Sequence, residues 1–155
     1  MNSLMDEQVL GQIERARQGK TLVFTNGVFD VLHAGHVHLL AAAREMGDVL
    51  VVGLNSDDSA RRLEKGPERP INTLQDRATV VAALKPVDFV LSFDEDTPIA
   101  LIERLRPDVH VKGGDYEVEL LPETLVVRSY GGRVALVPLL EGRSSTEVLR
   151  RLQSP

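Results

Sequence analysis

Residues 25–36 read Thr25-Asn26-Gly27-Val28-Phe29-Asp30-Val31-Leu32-His33-Ala34-Gly35-His36, and this stretch sets the architecture of the chain. The apolar run before it, 22–24, predicts a strand, and the run 37–44 after it predicts a helix. The stretch is therefore a strand-to-helix turn, in which its glycines allow a bend or the close approach of a ligand. A helix that begins at such a turn directs free N–H groups and the positive end of its dipole toward it, which favours a bound phosphate.

Two histidines lie in this turn. His33 and His36 are three residues apart at the predicted helix start, so they can lie on one side and reach one ligand together. Imidazole N–H groups can donate to phosphoryl oxygens, and the donation strengthens as negative charge builds in a transition state. Asp30 precedes His33 by three residues, and a carboxylate beside phosphates must hold Mg²⁺, accept a donor or face away.

The composition restricts the classes of function. The chain has 155 residues, of which 43% are hydrophobic and 26% charged, as expected for one globular domain. Its net charge of −5 argues against a broad nucleic-acid interface. The absence of cysteine excludes disulfides and thiolate metal sites. Neither a signal-peptide core nor a run of roughly 20 apolar residues is present, so we expect a cytoplasmic protein that does not enter a membrane.

Helical and strand-like patterns alternate along the chain. We expect helices at about 4–16, 37–46, 73–84, 94–104, 120–130 and 144–152, and a short helix within 56–64. We expect strands at about 20–25, 48–55, 87–93, 109–112 and 133–139. This alternation predicts a three-layer α/β/α Rossmann-like fold with a five-stranded parallel sheet. We expect a single domain, with an N-terminal helix in 1–19 and a catalytic core in 20–152.

Polar segments follow several of the predicted strands, and ligands of such sheets bind beyond the carboxyl ends of the strands. These segments are 26–36, 55–57, 112–116 and 142–146. Asn55, Ser56 and Asp57 are also residue types that cap helices. Their segment therefore either caps a helix or lies at the ligand site. His110, inside a predicted strand, is interpreted as packed and not catalytic.

Three cations accompany these segments. Lys65 and Arg69 flank a Gly-Pro loop at 65–70, which cannot form regular structure. They are either solvated charges or groups that close over phosphates and offset charge on a leaving group. Arg77, on the next helix, either forms a surface ion pair or contacts phosphate or acceptor.

Two further segments suit a nucleotide. Lys112-Gly113-Gly114-Asp115-Tyr116 carries paired glycines that let a flat base approach the backbone, although a plain turn explains them too. Gly142-Arg143-Ser144-Ser145-Thr146-Glu147 opens the last helix. Ser144 and Glu147 fit a capping box, while the same helix start and Arg143 can bind an anion.

His33-Ala34-Gly35-His36 after the Gly-x-Phe-Asp turn resembles the signature of the nucleotidyltransferase superfamily with the His-x-Gly-His motif. The 112–116 segment and Gly131-Gly132-Arg133-Val134 resemble the branch that acts on D-glycero-β-D-manno-heptose 1-phosphate and makes ADP-heptose, over nearly all of 20–152. Many members of that branch are fused behind a ribokinase-type sugar kinase. No such region is present here, so we expect the stand-alone form.

The resemblance implies that ATP and a sugar 1-phosphate give an ADP-sugar and pyrophosphate by direct in-line attack. We expect catalytic roles for His33, His36 and Lys65. Nucleotide-binding residues are expected to be Thr25, Asn26, Gly27, Val28, Phe29, His33, His36, Lys112, Gly113, Gly114, Asp115, Arg143, Ser144, Ser145 and Thr146. Acceptor-binding residues are expected to be Asp30, Asn55, Asp57, Lys65, Arg69 and Arg77.

Mg²⁺ is expected from the chemistry of ATP, and its ligands are left open. The family often forms dimers, but the sequence carries no specific interface signal. One alternative is a sister transferase such as a glycerol-3-phosphate cytidylyltransferase that uses CTP. Another is a nucleotide-binding regulatory module without catalysis, which the paired histidines disfavour. A fragment of a class I aminoacyl-tRNA synthetase is disfavoured by the short, acidic chain.

Overall fold

The computed structural model describes residues 7–63 and 65–155, and five parallel strands form one sheet within them. The strands are β1 (Leu22–Gly27), β2 (Val49–Asn55), β3 (Phe89–Phe93), β4 (Val109–Gly113) and β5 (Arg133–Val137). Their order in the sheet is β3-β2-β1-β4-β5. The chain therefore moves outward from β1 in one direction and then returns to its other side, so the strand order switches between β1 and β4.

Helices cover both faces of this sheet. They are α1 (Glu7–Ala16), α2 (Ala34–Arg44), α3 (Asp57–Arg62), α4 (Leu74–Ala82), α5 (Ile99–Leu105), α6 (Pro122–Ser129) and α7 (Ser145–Gln153), with a 3-10 turn at Val118–Leu120. The predicted α/β/α Rossmann-like fold with a five-stranded parallel sheet is confirmed. Leu4, part of the predicted N-terminal helix, lies outside the described residues, as does Glu64. Among the described residues, no helix has the length and apolar character needed to cross a membrane.

The apolar pattern explains the layers. All seven residues of β2 are buried, as expected for a strand covered on both faces. Ile13 of α1, Leu101 of α5 and Val127 of α6 pack in the core cluster on one face. Leu40 of α2 and Val81 of α4 pack in the cluster on the other face.

Several element boundaries differ from the sequence-based expectation. β1 continues through Asn26 and Gly27, because these residues pair with Gly53 and Leu54 of β2 instead of turning away. α2 begins three residues earlier than predicted, because His33 is its N-cap. The helix predicted over 120–130 is divided into the 3-10 turn and α6, which begins at Pro122, a favoured first helical residue.

Candidate active site

The start of α2 holds the two motif histidines against each other. Their ring centroids are 3.9 Å apart. His33 Nδ1 accepts from the Gly35 N–H at 3.0 Å, and His36 Nδ1 accepts from the His33 N–H at 3.2 Å. This is a capping box built from imidazoles, in which each side chain satisfies a backbone donor that the helix leaves free.

These two bonds decide which ring nitrogen carries the proton. A nitrogen that accepts a backbone N–H must be unprotonated, so each neutral ring carries its proton on Nε2. Burial lowers the pKa of His36 to about 4, with His33, Lys65 and Arg69 acting in the same direction and Asp30 opposing them. Burial also lowers the pKa of His33. The turn therefore presents two neutral Nε2–H donors.

Gly35 is required for this arrangement. A Cβ at Gly35 would lie 2.8 Å from His33 Cε1 and 3.2 Å from the carbonyl oxygen of Arg143. The first contact would displace the capping ring, and the second would displace the segment before α7. The glycine thus lets the motif turn and the 142–145 segment pack together.

The structure assigns Asp30 the second of its three predicted possibilities, because its carboxylate accepts donors. Asp30 is 1% exposed, and it accepts from the backbone N–H groups of Ile71 and Asn72 at 2.5 and 3.0 Å. The Asn72 side chain donates at 3.0 Å, and Arg69 Nε lies 3.6 Å away. Through these contacts the Asp30 carboxylate holds the 69–72 segment. The expected contact of Asp30 with the acceptor stays a prediction, and the observed partners of the carboxylate disfavour it.

The Gly-Pro loop and α7 line an open cavity between them. Its volume is about 480 Å³, and its lining includes Lys65, Arg69, Thr146 and Leu149. Lys65 is exposed and lies near enough to His36 to lower the pKa of that ring. The loop thus brings the Lys65 ammonium group near the motif histidines.

Arg77 is buried. The two roles considered from the sequence, a surface ion pair and a contact with phosphate or acceptor, would both leave its side chain accessible. It is 2% exposed and donates to the Val28 carbonyl at 2.8 Å, the Asn72 carbonyl at 3.1 Å and the Asp57 carboxylate at 2.8 Å. Those contacts occupy all three guanidinium nitrogens. Arg77 therefore braces the motif turn, and its expected role in acceptor binding stays a prediction that its burial disfavours.

The segment after β2 behaves mainly as a helix start. Ser56 caps α3 by accepting from the Ser59 N–H, and Asn55 is 4% exposed with its amide donating to Ser59 Oγ. The Asp57 side chain remains 31% exposed while it pairs with Arg77. Of the two acceptor residues expected here, only Asp57 presents a polar group toward solvent.

The 112–116 segment contains the last two residues of β4 and the turn that follows them. Gly114 has φ of +125°, and a Cβ there would lie 3.0 Å from the Tyr116 ring. Lys112 Nζ lies 3.3 Å from Glu123 Oε1 and 5.2 Å from the centroid of the Tyr116 ring. Gly113 lies against Leu39 and Leu139, and a Cβ there would be 3.3 and 3.4 Å from methyl groups of Leu139 and Leu39. Glu123, which holds Lys112, was not expected from the sequence.

The start of α7 lies against the motif turn. Ser145 Oγ donates to the Asp30 carbonyl at 2.5 Å, and Ser144 accepts from the Glu147 N–H at 3.0 Å. The Glu147 carboxylate pairs with Arg150 and Arg151, so only the serine half of the predicted capping box is present. Thr146 and Arg143 are exposed. The fold thus places the starts of α2 and α7 next to each other. Both helix starts were predicted to bind phosphate.

Thr25 and Asn26, at the end of β1, are both held by β4. Thr25 Oγ1 donates to the Val111 carbonyl at 2.8 Å, and His110 Nε2 lies 3.0 Å from Asn26 Oδ1. His110 is fully buried, as expected. Its bond to Asn26 spans 84 residues of sequence, so no local pattern could have revealed it.

A comparison with known families matches residues 24–151 to the cytidylyltransferase-like family. The chain belongs to the cytidylyltransferase-like family. The match contains every predicted site residue, from Thr25 to Thr146. The sequence-based assignment to a nucleotidyltransferase superfamily is confirmed.

Curated relatives in this family are similar over most of the chain. A D-beta-D-heptose 1-phosphate adenylyltransferase from Bordetella bronchiseptica is 51% identical over 94% of this chain and 90% of its own length. The bifunctional protein HldE of Syntrophotalea carbinolica is 57% identical over 91% of this chain. The chain spans only 28% of the length of that bifunctional relative.

Two solved structures share the fold of this chain. A lipopolysaccharide core biosynthesis protein from Thermoplasma volcanium is 30% identical, with a TM-score of 0.65 over 79% of this chain and 98% of its own. A pantoate-beta-alanine ligase from Francisella tularensis superposes with a TM-score of 0.64 at 17% identity over 96% of this chain and 71% of its own, and so shows the fold alone.

The described part of the chain contains no group of three or more histidine or acidic side chains placed to hold a metal ion. The carboxylate nearest the histidines, Asp30, is already occupied by protein donors. A cage of protein ligands for Mg²⁺ therefore does not fit these residues.

Proposed function

We propose that this chain transfers AMP from ATP to a sugar 1-phosphate, D-glycero-β-D-manno-heptose 1-phosphate, and releases pyrophosphate. The observation that carries the proposal is the pair of neutral Nε2–H donors on His33 and His36 beside the start of α7. The name of the Bordetella bronchiseptica relative supports the choice of acceptor. ATP and the sugar phosphate are the proposed partners, without nucleic acid or membrane.

The reaction needs no general base. A phosphate monoester has a second pKa of about 6, so the acceptor oxygen is already anionic near neutral pH. That oxygen attacks the α-phosphorus of ATP, a new P–O bond forms, and the bond to the β-phosphate oxygen breaks in line with it. The pyrophosphate departs with both electrons of the broken bond. Catalysis then consists of alignment and the stabilisation of charge.

The protein groups divide this work by position. His33 and His36 donate through Nε2 to phosphoryl oxygens, and the free N–H groups of α2 face the same charge. Lys65, Arg143 and the turn at Ser144–Thr146 hold the pyrophosphate end. Asn26 and the backbone of the 112–116 segment bind the nucleoside. On the opposite side of the α-phosphorus, Asp57 is the acceptor-side group, and its side chain is 31% exposed.

Mg²⁺ enters this proposal as a companion of ATP. It prefers oxygen ligands, and phosphate oxygens with water supply them where protein carboxylates do not. The roles of His33, His36 and Lys65 do not depend on it. The enzyme is proposed to work in the cytoplasm, where ATP is available, and a homodimer stays a prediction.

The test is pyrophosphate release in the presence of Mg²⁺. ATP and CTP are each offered with a panel of sugar 1-phosphates and with glycerol 3-phosphate. Release with ATP and the heptose 1-phosphate alone is the expected result. Release with CTP and glycerol 3-phosphate would instead indicate the sister cytidylyltransferase. The family's description names that kind of enzyme. ATP binding without any release would indicate a regulatory module.

A further inference from the structure

A buried imidazole supports the exposed end of the central strand. His110 of β4 is 0% exposed, and its ring packs against Phe24 with centroids 5.5 Å apart. Its Nε2 lies 3.0 Å from Oδ1 of Asn26 on β1. The bond crosses the place where the strand order switches, which is where ligands of doubly wound sheets bind.

The other ring nitrogen decides the direction of this bond. His110 Nδ1 is buried and has no hydrogen-bond partner within the described residues. A proton on Nδ1 would be a buried N–H without an acceptor, which is rarer in proteins than an unused lone pair. Burial, with a smaller effect of the Lys112 cation, lowers the pKa of His110 to about 3, so the ring holds one proton. That proton lies on Nε2 and is donated to Asn26 Oδ1.

This donation fixes the orientation of the Asn26 carboxamide. Because Oδ1 faces His110, the two N–H groups of Nδ2 must point away from β4. Asn26 is partly exposed, and no acceptor for Nδ2 is found within 7–63 and 65–155. The neighbouring Thr25 is fixed by its own bond to Val111, so the backbone beneath Asn26 cannot readily rotate the group away.

We propose that His110 is a positioning residue, which holds the Asn26 carboxamide so that Nδ2 donates to an oxygen of the bound ATP. The proposal rests on the proposed function, because it assigns the nucleotide to the end of β1. Without the imidazole, the carboxamide would rotate freely and present its oxygen to an oxygen of ATP for part of the time. His110 therefore acts on nucleotide binding through Asn26 and touches no substrate itself.

Two substitutions at His110 separate positioning from packing. His110→Gln keeps an N–H close to the place of Nε2, whereas His110→Leu keeps an apolar side chain and removes the donor. We expect His110→Leu to raise the KM for ATP about tenfold, the scale of one hydrogen bond. We expect His110→Gln to stay within about threefold of the wild type, and the KM for the sugar phosphate to change in neither. Assays are run at a temperature at which circular dichroism shows each variant folded.

A double-mutant cycle with Asn26→Ala is the decisive test. If His110 acts through Asn26, adding His110→Leu to Asn26→Ala raises the KM for ATP no further, within about twofold. Effects that multiply, to about a hundredfold, would overturn the proposal, and so would a change confined to the KM for the sugar phosphate. The nitrogen-15 NMR spectrum of His110 must also show a proton on Nε2 and none on Nδ1, and the opposite tautomer would overturn it.

Calorimetric titration of ATP repeats the cycle without the reaction. Its dissociation constants must show the same non-additivity. A wild-type chain that makes no ADP-sugar but binds ATP with this coupling would contradict the proposed function and leave His110 as the positioning residue of a nucleotide site. A wild-type chain that makes the ADP-sugar without the coupling would contradict the inference alone.

Discussion

At His33 and His36, one nitrogen of each ring serves the fold and the other is left for the ligand. Nδ1 caps the helix in both residues, and Nε2 points away from the backbone with its proton. Each neutral ring keeps one N–H donor of fixed direction, and such a donor stabilises developing negative charge. The sequence predicted the shared ligand of this pair, but the capping role depends on α2 beginning at Ala34.

Substitution of His36 by Asn and by Gln tests the two nitrogens separately. Asn places an oxygen near the position of Nδ1 and can keep the cap, but it has no group near Nε2. We expect His36→Asn to lower kcat about 100-fold, as for His36→Ala, because one transition-state donor is lost. Steady-state pyrophosphate release measures this.

The matched variant, His36→Gln, carries an N–H near Nε2 and loses the cap. We expect it to keep more activity than His36→Asn while its thermal midpoint falls further, since a lost cap costs about 1 kcal/mol. Equal kcat values for wild type and His36→Asn would remove His36 from the mechanism.

The sequence could not predict the hydrogen-bond partners of Asp30, Arg77 and His110. The sequence correctly restricted Asp30 to a short set of roles, but its donors come from 41 and 42 residues away. Arg77 reads as a helix-surface residue because its partners, the Val28 carbonyl and Asp57, are distant in sequence. Long-range hydrogen bonds leave no periodic pattern, so only the assembled fold reveals them.

At the scale of elements, the turn between β1 and α2 is strained and is held by two neighbouring helices. Phe29 and Val31 both have φ of +51°, a conformation that a β-branched residue such as Val31 rarely adopts. Ser145 of α7 holds the Asp30 carbonyl, and Arg77 of α4 holds the Val28 carbonyl. The turn therefore persists because neighbouring elements fix it, and its strain coincides with the proposed phosphate site.

Removal of Arg77 tests this brace. Arg77→Ala leaves the Val28 carbonyl and the partly exposed Asp57 carboxylate without their donor. We expect it to lower the free energy of unfolding by about 3 kcal/mol, as for other broken buried pairs. Urea unfolding of the two proteins measures the difference.

Arg61 supplies the control on the neighbouring α3. Its pair with Asp58 joins side chains that are 60% and 75% exposed, so Arg61→Ala should cost at most about 0.5 kcal/mol. A loss for Arg77→Ala no larger than that of Arg61→Ala would contradict the brace.

Element types were predictable, and their ends were less so. Apolar runs and helical spacing located every strand of the sheet and the helices between them. Gly27 suggests a turn in isolation, yet it pairs with Leu54 as the last residue of β1. Val37 suggests the first helical turn, yet the histidine cap starts α2 at Ala34. Strand pairing decided the first boundary, and a local cap decided the second.

At the scale of the whole molecule, the switch of strand order between β1 and β4 collects segments that are far apart in the sequence. The turn after β1 meets the start of α7 through the bond from Ser145 to the Asp30 carbonyl, and Gly113 at the end of β4 lies against Leu39 of α2. The sequence predicted this gathering from the βα alternation alone, because parallel strands all end at the same edge.

Buried histidines give the whole molecule an acid-sensitive stability. His110 is neutral in the folded state, where burial lowers its pKa from 6.5 to about 3. Between these values the unfolded state binds a proton that the folded state does not, so the free energy of unfolding falls as pH falls from about 6.5. His36, with its pKa of about 4, acts in the same direction.

We expect His110→Leu to flatten this dependence by up to about 1.4 kcal/mol per pH unit, the effect of one proton. Urea unfolding of wild type and variant at several pH values between 6.5 and 4 measures it. Parallel stability curves for the two proteins would show that His110 does not resist protonation in the fold.

The most direct measurement follows the α-phosphate itself. ATP labelled at the α-phosphorus is mixed with the protein, Mg²⁺ and D-glycero-β-D-manno-heptose 1-phosphate, and the reaction is quenched at intervals. Direct transfer predicts label in ADP-heptose in equal amount to the pyrophosphate released, with none bound to the protein at any time. Label on the protein before it reaches product, or ATP that remains intact while CTP and glycerol 3-phosphate react, would contradict the account.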